Sequence, residues 1–200
     1  MSTPSLPLFP LGTVLFPGGP LGLRIFEPRY LDMVGRCLRE QGCFGVVLIL
    51  EGAEAGAVLA AAAVGTTARV VDFDMRPDGL LGIECIGERR FRVRRMWQQD
   101  DGLNLAEVDY LADDVRSALP VEFAQLAELL REVLPKLGGA YARVQAHYQD
   151  AGWVANRWAE ILPLSAAERL ELLELSDPLA RLAQVAVWSA RQSLAADVKA

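Results

Sequence analysis

The chain is expected to be an α+β protein, a small antiparallel β-barrel followed by a bundle of α-helices. Three observations lead there. Short apolar runs in the first half are separated by turn signals roughly every eight to twelve residues, the rhythm of a barrel or sandwich. Near Val115 the apolar period changes from 2 to 3.6. The 200 residues are 52% apolar and 23% charged, a globular composition, and a chain this long buries roughly 70% of its unfolded surface. The expected division is 1–115 for a barrel with one packed helix and 116–200 for the bundle.

The stretch Leu6–Leu38 organises the first half. Pro7 and Pro10 cannot donate to a sheet ladder, so Leu6–Leu11 is expected on an edge or at a bend. Pro17-Gly18-Gly19-Pro20 is a turn signal. Leu21, Leu23 and Ile25 then alternate as in a half-buried strand. Glu27-Pro28 opens a helix, since proline suits the first helical position. Its apolar face would be Tyr30, Leu31, Val34, Cys37 and Leu38, with Asp32 and Arg36 as a surface pair and Gly42 as its stop.

Cys43–Leu50 is a β-branched apolar run expected to be a central strand, buried on both faces. Glu51–Val64 is rich in alanine and glycine, and either a short helix or a loop fits it. From Gly65 the chain is extended to Met75, and Arg76-Pro77-Asp78-Gly79 is a turn. A hairpin partner follows over Leu80–Ile86, with Gly87 opening the next turn. Arg89–Met96 alternates Phe91 and Val93 with Arg90, Arg92 and Arg94, and Leu103–Leu111 completes the sheet.

In the second half, Phe123, Leu126, Leu129, Leu130 and Val133 form a helical stripe ended by Pro135 and Gly138-Gly139. Tyr141, Val144 and Tyr148 give a second stripe, and Trp153, Val154, Trp158, Ile161 and Leu162 a third. Ser165 and Glu168 make a capping box. Asp177-Pro178 starts a last helix through Leu179, Leu182, Val185 and Trp188.

The opening LPLFPLGTVLFPGGPLGLRIFEPRY resembles the first motif of the Lon protease N-terminal (substrate-binding) domain family, and most of all its stand-alone bacterial members, which lack the ATPase and protease modules. VGTTARV, DGLLGIECIGERRFRV and a closing strand with Asp113-Asp114 follow in the family's order. Leu162-Pro163-Leu164, Leu170–Leu175 and Arg181-Leu182 look like its helical landmarks. The resemblance implies a PUA-like β pseudo-barrel, and recognition of unfolded or degron-bearing protein for a separate protease.

The residues themselves point to no enzyme and no cofactor. The two lysines, Lys136 and Lys199, follow no glycine-rich loop, so there is no P-loop, and neither has the serine partner of a catalytic dyad. His147, the sole histidine, is placed on a helix without an orienting acid. No metal spacing occurs, and the paired acids Asp100-Asp101 and Asp113-Asp114 are expected in solvated turns. Three cysteines suggest buried thiols in a reducing, cytoplasmic setting, and neither a leader nor a membrane span is expected.

The expected activity is therefore protein or peptide binding by an apolar patch or an open strand edge. Candidate contacts are Phe16 and Pro17 at the first turn and Phe26, Arg29 and Tyr30 at the strand–helix junction. The alternative is an RNA-binding PUA-like module using Arg89, Arg90, Arg92 and Arg94 on phosphates or another acidic ligand. The net charge of −6 disfavours nucleic acid. No oligomeric state is specified.

Overall fold

The computed structural model describes residues 5–52, 54 and 58–197. The chain divides into two compact units, residues 1–113 and 114–200.

The first unit is one mixed sheet closed on itself. Its strands are β1 (Leu6–Leu11), β2 (Pro20–Ile25), β3 (Phe44–Gly52), β4 (Val58–Met75), β5 (Leu81–Gln98) and β6 (Asn104–Tyr110). They lie in the order β2-β5-β4-β3-β1-β6, and β6 pairs back onto β5. The pseudo-barrel expected from the sequence is thus present, with one parallel pair, β1–β3, among antiparallel ones.

Strand β1 corrects the expectation for Pro7 and Pro10. It lies inside the sheet, paired with β6 over Leu6–Leu8 and with β3 over Leu8–Leu11. Because the strand changes partner at Leu8, each proline has a paired strand on one side only, which makes its missing N–H tolerable. Gly87 is also not a turn residue. It lies within the 18-residue β5, and the turn after Phe16 docks against it: the Gly18 amide donates to the Gly87 carbonyl at 2.7 Å, and the Gly87 amide to the Gly19 carbonyl at 2.9 Å. A Cβ there would come within 2.3 Å of the Phe16 carbonyl oxygen, so glycine is required by close approach.

Alanines 60–63, read from sequence as helix or loop, belong to β4, which pairs with the end of β3 across several register shifts. Residues 53 and 55–57 of that stretch lie outside the described residues.

Helix α1 (Pro28–Glu40) starts as expected, with proline in its first turn. Its buried face is Tyr30, Met33, Val34 and Cys37, whereas Leu31 and Leu38 are exposed. Gln41, not Gly42, takes the left-handed capping conformation, and the Gly42 amide donates to the Cys37 carbonyl at 2.9 Å. Under the helix, Tyr30 stacks on Phe9 with ring centroids 4.0 Å apart. A second core joins Leu6, Leu8, Val47, Phe91 and Ala106. Phe91 fits there because Gly45 and Gly65 have no side chains: a Cβ on either would lie 2.6–2.7 Å from the ring.

The second unit has α2 (Ala124–Leu137), α3 (Ala151–Ile161), α4 (Ala166–Glu174) and α5 (Pro178–Asp197). Pro135 sits inside the last turn of α2 and does not end it. The stripe Tyr141–Tyr148 is no regular α-helix: a short 3-10 turn covers Gly139–Arg143, and His147 lies in the loop after it. Main-chain pairing with a distant segment explains this, since the Ala151 amide donates to the Ser117 carbonyl and the Leu119 amide to the Gln149 carbonyl, joining residues 117–119 to 149–151. The capping box at Ser165 is formed, and the Asp177 carboxylate accepts from the Leu179 amide at 2.9 Å.

Helix α3 is buried all round over Ala151–Ala159, including Arg157. Arg157 Nε donates to Glu160 at 2.9 Å, and the Tyr141 hydroxyl donates to the same carboxylate at 3.2 Å. Buried Arg181 on α5 donates to the Leu172 carbonyl at 2.9 Å, to Asn156 Oδ1 at 3.1 Å and to Asp114. Asp114 therefore departs from the solvated-turn expectation, being the acid that neutralises a buried cation.

Three substitutions test these contacts. Gly65→Ala pushes a Cβ to within 2.3 Å of the Val46 carbonyl oxygen and should cost about 2–3 kcal/mol in urea unfolding. Gly22→Ala, which meets nothing within 4 Å, should change stability by no more than about 1 kcal/mol. Arg181→Leu strands Asp114 and opens the α3–α4–α5 junction. It should destabilise the second unit by about 3–5 kcal/mol, read by the fluorescence of Trp153, Trp158 and Trp188.

Candidate functional site

Strand β5 needs two partners on one edge, β2 over Leu81–Ile86 and then β6 over Phe91–Gln98. On its other edge it pairs with β4 as far as Met75. Pairing between β4 and β3 stops at Ala68. Residues Val70–Met75 therefore have β5 on one side and, among the described residues, no strand on the other. Here β2, β5 and β4 form a three-stranded ribbon running past the closed part of the sheet.

The register sorts this ribbon into two faces. Leu23, Ile83 and Phe73 stand in one row, and Ile25, Leu81 and Met75 in the next. Their inner members join the core under α1, where Ile25 and Ile83 are buried and Leu23 and Leu81 partly so. The outer members do not: Phe73 is 58% exposed and Met75 69%. An apolar face thus continues out of the core into solvent, the kind of surface that marks a binding site. Phe26, just past β2, is 58% exposed.

The alternate rows are polar. Arg24, Gly82 and Asp74 form one, and Gly22, Glu84 and Asp72 the next. The turn adds Asp78, which is ion-paired with Arg24. The Leu80 amide, donating to Asp78 at 3.1 Å, holds that carboxyl below its usual range, with Arg24 acting in the same direction.

The contacts expected from sequence do not gather into one surface. Phe16 and Tyr30 are buried in the core and Pro17 is half-buried. Burial pushes the Tyr30 hydroxyl up, against the opposing effect of Arg29. Arg29 is an anchor: it donates to the Gly102 carbonyl at 2.8 Å, pairs with Glu27 at 2.6 Å and lies over the Tyr30 ring. Of the five, Phe26 alone is exposed. The sequence signal for Phe73 and Met75 was their alternation with Asp72 and Asp74, but periodicity does not tell which apolar strand residues remain uncovered.

The basic strand is compensated. Arg94 is paired with Asp109, and Arg89 lies 3.6 Å from Asp113 and over the Tyr110 ring. Arg90 is buried, so it does not share an outer face with Arg92 and Arg94. The acids come from β6 and the segment after it, whereas Glu88 pairs with Arg69.

Burial raises the thiols of Cys85 to about 12 and Cys37 to about 11, so neither is a thiolate near neutrality. Among the described residues, no group of three or more His, Cys, Asp or Glu is arranged to hold a metal ion, and no helix is long and apolar enough to cross a membrane.

Residues 5–188 match the family model of the ATP-dependent protease La (LON) substrate-binding domain. The chain is 27% identical to a Lon protease of Anaeromyxobacter dehalogenans and 28% identical to Lon protease 2 of Myxococcus xanthus, in each case over 88% of its own length. It spans 22% of the length of each of these proteins. Among solved structures, a Lon N-terminal domain protein from Xanthomonas campestris superposes with a TM-score of 0.77 at 43% identity, covering 92% of this chain and 98% of that one. The N-terminal domain of a Mycobacterium avium complex Lon protease shares the fold, with a TM-score of 0.66 at 18% identity over 94% of this chain and 98% of that one. With nearly its whole length matched by that model and this fold, the chain belongs to the Lon substrate-binding domain family.

Proposed function

We propose that the chain is a non-catalytic module that holds unfolded or degron-bearing protein clients on the apolar face of the β2–β5–β4 ribbon. The observation behind this is the exposure of Phe73 and Met75 at the outer end of rows whose inner members are core. Burying such side chains against a client is favourable by roughly 1.5–3 kcal/mol each at full burial. Membership in a substrate-binding family supports the same reading. The client is passed to a separate protease, in the cytoplasm, and no step of the reading requires a cofactor.

Phe73→Ala combined with Met75→Ala tests it by fluorescence anisotropy with a labelled, permanently unfolded protein. The pair should weaken binding by about tenfold or more, equivalent to about 1.4 kcal/mol, with thermal stability little changed because both side chains are exposed. High salt should leave the share of the affinity carried by Phe73 and Met75 largely intact, since apolar contacts are not screened. Unchanged affinity in the double variant would remove the ribbon from the account.

A further inference from the structure

We infer that the open edge of β4, Val70–Met75, takes up a client segment as an added β-strand and selects segments in which basic residues alternate with apolar ones. This rests on the proposal that clients bind the ribbon and specifies how they do so.

The first ground is the ladder. Pairing with β3 ends at Ala68 while pairing with β5 continues to Met75. Five successive residues, Val71–Met75, are exposed. An edge of this kind presents main-chain groups to any extended chain that approaches. The edge of β2 is a poorer template, since it begins with Pro20, which has no N–H, and Gly22 offers no side chain.

The second ground is charge. Side chains of an added strand would alternate between the two faces of the ribbon. On one face they would meet Phe73 and Met75; on the other, Asp72 and Asp74. Around the polar face stand five carboxylates, Asp72, Asp74, Asp78, Glu84 and Glu88, against three guanidiniums, Arg24, Arg69 and Arg76. Arg24 is already paired with Asp78. An incoming chain with an apolar residue at every second position therefore gains most from lysine or arginine at the others.

The same features discourage pairing with a second copy. Two β4 edges would bring like charges together, which is destabilising across strands. A register shift at Val71 and the Asp72 carboxylate, which accepts the Phe73 amide at 2.9 Å, further blunt the edge against stray association. The client's carbonyl takes the place of that carboxylate at the Phe73 amide.

The test uses the full chain and short labelled peptides alternating valine with lysine or valine with glutamate. The lysine peptide is also made in two N-methylated forms, with alternate amides blocked in either phase. The lysine peptide should bind at least about tenfold more tightly than the glutamate peptide. One N-methylated phase, the one facing β4, should lose binding. Asp72→Asn with Asp74→Asn should shrink the preference for lysine without unfolding the chain. If both methylated phases bind like the parent while Phe73→Ala with Met75→Ala still weakens an unfolded client, strand addition is wrong and the ribbon reading survives. If the double alanine variant also leaves client binding intact, both fall. Equal binding of lysine and glutamate peptides overturns the charge selection.

Discussion

Strand β5 is long enough to serve three neighbours, and Gly87 is where it changes from one to the next. Before that residue its edge belongs to β2; beyond it, to β6, which closes the barrel. The turn after Phe16 enters against Gly87 with hydrogen bonds in both directions, and no side chain could be accommodated there. Closure hides the edges of most strands, but β4 follows β5 further than β3 follows β4. The outer length of β4 is the remainder, and among the described residues nothing buries its Phe73 and Met75. The candidate site is thus a consequence of unequal strand lengths in a closed sheet, with no dedicated loop or cleft.

The second unit solves a different problem. Helices α3 and α4 are too short to stand alone, and α3, buried all round, carries an arginine in its interior. Arg157 is ion-paired with Glu160, and Arg181 is held by Asp114, the Asn156 amide oxygen and the Leu172 carbonyl. Replacing such groups with apolar ones can cost little, but removing one partner strands the other. The charges serve chiefly to fix how α3, α4 and α5 meet. Glu160 is engaged by both Arg157 and Tyr141.

Local signals in the sequence were sufficient wherever the physics is local. Pro28 in the first turn of α1, the turn at Arg76–Gly79, the Ser165 capping box and the Asp177 cap all stand as expected. Misreadings occurred where a distant segment decides the outcome. Pro7 and Pro10 are tolerated inside the sheet because β1 changes partner between them. Alanines 60–63 are a strand because β3 is there to pair with them. Arg181 is buried because Asp114 and Asn156 reach it from elsewhere in the chain. The candidate site follows the same rule: Phe16, Tyr30, Phe73 and Met75 all look like core residues in a strand or helix pattern, and only the register reveals which pair stays outside.

Amide hydrogen exchange on the full chain, with and without a saturating unfolded client, tests the central claim most directly. The ribbon account predicts added protection concentrated in Val70–Met75, with smaller gains in β2 and the first part of β5. Protection confined to the helical unit, with Val70–Met75 exchanging as freely as before, would contradict it.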